Sequence, residues 1–128
     1  MAWKDILKDE LTQRIEQAEG FTELRDIIKE GKIIMSNGKP FTDQQFKIGV
    51  AKTREHINKI RQADDMEEKL MHMEESYLES RYFTRANGLR QKMMETLGEY
   101  YEKEFPEVFD KLVERKSAVS GFDLFGFM

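Results

Sequence analysis

The chain has 128 residues, 21 Lys plus Arg against 25 Asp plus Glu, and a formal charge of −4. With 36% charged residues, 2 Pro, 8 Gly and no Cys, it excludes disulfides, thiolate metal sites, cysteine nucleophiles and collagen-like or low-complexity architectures. One domain of about 100–150 residues is expected. No apolar run reaches the roughly 20 residues of a membrane span, so the expectation is a soluble, cytoplasmic protein, in the host cytoplasm if it is viral.

Helical periodicity dominates. From Ala2 to Glu19, Trp3, Ile6, Leu7, Leu11 and Ile15 recur at spacings of three and four and predict one helix, ended by Gly20. A second, short helix is predicted from Thr22, as N-cap, to Glu30, with Phe21, Leu24, Ile27 and Ile28 as its apolar stripe and Gly31 after its end. Residues 32–41 break the pattern: Ile33-Ile34-Met35 precedes the turn sequence Ser36-Asn37-Gly38, and Pro40 cannot donate to a ladder. A short β-like excursion or tight loop is expected there. Thr42 and Gln45 fit a capping box, and Phe41 with Phe46 a hydrophobic staple.

A long helix follows, its seam Phe46, Val50, Thr53, Ile57 and Ile60 spaced as in a coiled coil. The phase slips at Ala63-Asp64-Asp65 and resumes at Met66, Leu70, Met73 and Tyr77, with Leu78 alongside. Either one helix continues to Ala86, or Asp64 or Asp65 caps a second. Asn87-Gly88 is a stop signal. Leu89, Met93, Leu97, Tyr100 and Tyr101 then mark another helix, and Pro106 fits the first turn of a last one with Phe109, Leu112 and Val113.

Charge alternates in blocks: residues 43–63 carry +3, 64–79 carry −6, 81–92 carry +4 and 95–110 carry −5. An antiparallel hairpin would set a basic helix against an acidic one and so favour this orientation. The same basic residues are candidates for nucleic-acid contact: Lys47, Lys52, Arg54, Lys59 and Arg61 in one block, Arg81, Arg85, Arg90 and Lys92 in the other, with Tyr77, Tyr82 and Phe83 beside the second. The sequence pI of about 5.3 weighs against duplex binding by backbone neutralisation.

No catalytic constellation emerges. His56 and His72 lack the Glu-x-x-His spacing of bundle metal sites; Glu68 and His72 lie at i, i+4 only, and exposed helix-face positions are expected for both histidines. Lys39 is followed by Pro40, which does not fit a phosphate-binding loop. No cofactor or metal is expected. Met66, Met71, Met73, Met93 and Met94 read either as core filler or as an adaptable surface for helical partners.

The final stretch, Gly121-Phe122-Asp123-Leu124-Phe125-Gly126-Phe127-Met128, is mostly large and apolar. It resembles the short C-terminal peptides by which replication and late-transcription proteins of T4-type phages hold sliding clamps. The resemblance covers these eight residues and implies that Leu124 and Phe125 fill a clamp pocket, with Phe122 and Phe127 flanking and Asp123 near a basic rim. The alternative is that these side chains fold back onto the domain or dock on a second copy.

The expectation is therefore an all-α bundle of about five helices around a long helical hairpin, with a helical domain over 1–116 and an apolar tail over 117–128. Functionally, it points to a non-enzymatic adaptor or accessory factor that docks a partner such as a sliding clamp through the tail. A nucleic-acid-associated helical factor and a self-assembling structural or virion component are the alternatives.

Overall fold

The computed structural model describes residues 9–118 and is all-α, with no strand among them. The described residues form six α-helices, α1 (Glu10–Gln17), α2 (Phe21–Lys29), α3 (Asp43–Gln62), α4 (Met66–Leu78), α5 (Leu89–Glu104) and α6 (Pro106–Ala118). Two short 3-10 turns, Glu79–Tyr82 and Ala86–Gly88, link α4 to α5.

The single helix that periodicity predicts over 2–19 is interrupted at Asp9. Asp9, in extended conformation, accepts a 2.7 Å hydrogen bond from the Thr12 amide and caps α1. Helix and cap compete for the same residue, and a carboxylate satisfying an otherwise unpaired first-turn amide makes Asp9 the N-cap of α1. Trp3, Ile6 and Leu7 lie outside the described residues. The predicted cap Thr22 sits inside α2, which begins at Phe21 with Gly20 before it; the Glu23 carboxylate accepts from the Glu19 amide just upstream.

Between α2 and α3 the chain makes one antiparallel bridge, Ile34 with Pro40. The Met35 amide donates to the Lys39 carbonyl at 2.8 Å and the Phe41 amide to the Ile33 carbonyl at 2.8 Å. Pro40 thus takes the one ladder position where its missing N–H costs nothing. The Thr42–Gln45 capping box is complete, and Phe41 and Phe46 are both buried.

Residues 43–86 form two helices. Ala63 leaves helical geometry, and Asp65 accepts from the Glu68 amide at 2.8 Å to start α4. The two helices pack as an antiparallel hairpin. Their charge blocks do not pair as expected: among the described residues no Lys or Arg of α3 bridges an acid of α4. The acids of α4 turn instead to α6, Glu67 to Arg115 and Glu74 to Lys116.

Two apolar clusters form the core. One gathers Ile15, Leu24, Ile28, Ile33, Phe41, Phe46, Phe83 and Leu89; the other Ile60, Leu70, Met73, Tyr77, Leu97, Tyr101, Val108 and Leu112. The buried stripe of α3 is Phe46, Gly49, His56 and Ile60, rotated from the expected coiled-coil seam. Val50, Thr53 and Ile57 are only half-buried. Phe83 causes the rotation, because its ring occupies the space beside Gly49 that a side chain would fill. Leu78, expected on the apolar face of α4, is exposed.

One polar pair is sealed in the second cluster. The Tyr101 hydroxyl donates to Ser76 Oγ at 2.8 Å, and Ser76 Oγ donates to the Met73 carbonyl. Burial raises the pKa of Tyr101 and keeps it neutral, although the Ser76 bond opposes the rise.

Two substitutions test this packing. Gly→Ala in a helix interior normally gains up to about 1 kcal/mol, but a Cβ at Gly49 would lie 2.7 Å from Phe83 Cε1 and Cζ. Gly49→Ala is therefore expected to destabilise by about 1–3 kcal/mol, seen as a lower urea midpoint at unchanged slope; a higher midpoint would refute the contact. Ser76→Ala, which strands the Tyr101 hydroxyl, is expected to cost about 1–3 kcal/mol and more than Tyr101→Phe, which leaves Ser76 its carbonyl acceptor. Equal costs in chemical denaturation would contradict that asymmetry.

Candidate functional site

Helices α3 and α5 do not pack closely on each other, and Ser76 of α4 and Phe83 line the space they share. The result is an open apolar cleft of about 400 Å³ where the two clusters meet. Val50 and Ile57 line one wall, Met93, Leu97 and Tyr100 the other, and Phe83 its floor. Arg54 and Arg61 also border it. Arg61 donates to the Tyr100 hydroxyl and lies 5.7 Å from the centroid of the Phe105 ring, so its charge is held at one end.

A second cleft, of about 840 Å³, opens between the 34–37 turn and the α4–α5 link. Arg81, Arg85 and Arg90 line it with Tyr82, Ile34 and Ile48. Asn87 and Gly88 both take positive φ, 54° and 73°, and this left-handed pair turns the chain so that α5 begins beneath the cleft. Arg90 donates from Nε to the Phe83 carbonyl at 2.9 Å and from a terminal nitrogen to the Arg81 carbonyl at 3.3 Å. The Arg81 guanidinium lies over the Tyr82 ring, 5.8 Å from its centroid.

The basic residues singled out in the sequence thus part company. Arg81, Arg85 and Arg90 share one cleft, while Arg54 and Arg61 border the other. Lys47 lies 3.6 Å from Asp43 on its own helix, and Lys92 Nζ donates to the Glu16 carbonyl at 2.8 Å. Lys52 and Lys59 line neither cleft. Ile34 and Ile48, 48% and 42% exposed, had not been singled out. The available signal was that Ile48 falls off the 46-50-53-57-60 stripe of its helix. Phe122, Asp123, Leu124, Phe125 and Phe127 lie outside the described residues.

The histidines depart from expectation. His56 is buried and His72 partly so. Both aim Nδ1 at Glu75 Oε2, at 3.7 Å and 3.6 Å, and His56 Nε2 lies 4.0 Å from Glu79 Oε1. Neither Nδ1 has a hydrogen-bond partner among the described residues. No group of three or more His, Asp or Glu among those residues is arranged to hold a metal ion. Burial pushes the pKa of His56 below its usual value; Lys59 and His72 add to the fall, and Glu79 and Glu75 oppose it.

No family model, curated protein or solved structure matches this chain. No helix among the described residues is long and apolar enough to cross a membrane.

The His56 geometry predicts a pH response. The unfolded chain takes up a proton near the ordinary histidine value of 6.5, and the folded chain only at lower pH. Stability is therefore lost as pH falls from the unfolded value toward the folded one. Urea midpoints measured between about pH 7.5 and about pH 5 are expected to fall in the native chain and to fall less in His56→Asn. Parallel curves for the two proteins would show that His56 does not contribute.

Proposed function

We propose that this chain is a non-enzymatic protein–protein interaction module, an adaptor or accessory factor. The observation that carries this reading is the apolar cleft between α3 and α5, bordered by Arg54 and Arg61. Its chemistry suits a short apolar segment of a partner that carries an acid. The C-terminal tail supplies the other contact, with Leu124 and Phe125 as anchors, Phe122 and Phe127 flanking, and Asp123 meeting a basic rim. A sliding clamp is the partner class that the tail's resemblance suggests, and a phage-encoded factor acting in the host cytoplasm is the setting that goes with it.

Burying a Phe or Leu contributes about 1.5–3 kcal/mol. The double change Leu124→Ala, Phe125→Ala is thus expected to weaken binding to a purified T4-type clamp about a hundredfold or more. Deleting residues 119–128 should abolish it without moving the thermal melt. Undiminished clamp binding by the truncated chain, or its unfolding, would overturn the tail's role. A mass that rises with concentration and reverts to monomer in Arg61→Glu would replace it with self-assembly through the cleft.

A further inference from the structure

The second cleft carries a ligand assignment on observations independent of the docking proposal. Three arginines of this acidic chain hold carboxylates, Arg14 with Glu30, Arg25 with Asp43 and Arg115 with Glu67, while Arg54 and Arg61 border the apolar cleft. Arg81, Arg85 and Arg90 hold none among the described residues, and no acid lines their cleft. Three uncompensated guanidinium groups in one concavity focus a positive potential. Arg90 is fixed by its two carbonyl contacts, and Arg81 is set against Tyr82. The Tyr82 ring and the exposed side chains of Ile34 and Ile48 add an apolar platform. Fixed cations beside an accessible aromatic ring are the chemistry that holds phosphates and a stacked base.

We infer that the cleft formed by Arg81, Tyr82, Arg85 and Arg90 binds a short stretch of single-stranded nucleic acid, its phosphates at the arginines and one base against Tyr82. A duplex would require a basic stripe along a longer path. Lys47, Lys92 and Arg61 are engaged elsewhere and line no part of this cleft, so they do not extend it.

The test is fluorescence anisotropy of the full chain with a labelled oligothymidylate at low salt, against a duplex of equal length and against inorganic phosphate as competitor. Saturable binding is expected, with log K falling against log salt at a slope of about −1.4 to −2.1 for two or three phosphate contacts. Arg85→Glu should weaken binding about tenfold or more, and Tyr82→Ala about fivefold or more. Arg61→Glu, in the other cleft, should leave it unchanged. Circular dichroism melts of each variant establish that it is folded. Preference for the duplex, equal loss in Arg61→Glu, or affinity unmoved by folded Arg85→Glu and Tyr82→Ala would each overturn the assignment. Displacement by millimolar phosphate with no effect of Tyr82→Ala would reduce the site to a simple anion site and overturn it as well.

Discussion

The seating of Phe83 against Gly49 is the contact on which the arrangement of this bundle turns. The ring is 2% exposed and lies edge-on to Phe46 at a centroid separation of 5.8 Å. Its carbonyl accepts from Arg90, so the same residue anchors the link between α4 and α5 and the first turn of α5. Because the ring fills the groove that a side chain at position 49 would occupy, α3 presents Gly49 and His56 inward and leaves Val50 and Ile57 half-open. Both clefts follow. The apolar one is the wall that α3 could not bury, and the basic one is the outer side of the link that Phe83 pins down.

Charge acts in this fold as a connector between elements. Arg14 to Glu30 ties α1 to the end of α2, Arg25 to Asp43 ties α2 to the start of α3, and Arg115 with Lys116 ties α6 to α4. The Arg14 guanidinium holds the Glu30 carboxyl down to about 2. These pairs are solvent-accessible, and such pairs contribute about 0–1 kcal/mol each, so they select one arrangement of helices more than they stabilise it. Arg81, Arg85 and Arg90, by contrast, hold no carboxylate among the described residues and gather around one cleft.

The interior also holds polar groups in two different ways. Ser76 and Tyr101 are fully satisfied by each other and by the Met73 carbonyl, and they behave as a fixed part of the second cluster. His56 sits at the α3–α4 seam with acids near but outside hydrogen-bond distance, which makes its neutral form the better fit to the folded state. Most of the methionines that could have formed a partner surface are core residues: Met73, Met93 and Met94 are buried, while Met71 is exposed.

Local chemistry was legible in the sequence wherever a single residue satisfies a neighbouring backbone group. The Thr42–Gln45 box, the Asn87-Gly88 turn and Pro106 at the start of α6 each act within about four residues and stand where the pattern put them, while the choice between one helix and a cap at Asp64 or Asp65 was open until the structure placed the cap at Asp65. The all-α class and the apolar faces of α4 and α5 follow from 3.6-residue periodicity in the same way. Asp9 was equally local but was masked by an apolar stripe that ran through it. What the linear pattern could not contain is which face of α3 turns inward, which acids meet which bases, and that Lys92 leaves the second basic block for the Glu16 carbonyl while Ile34 and Ile48 join its arginines around one cleft. Those depend on the Phe83 ring meeting Gly49, 34 residues earlier in the chain, and on α6 competing successfully with α3 for the acids of α4. Both are contacts between distant segments, and only the packed chain brings them within reach.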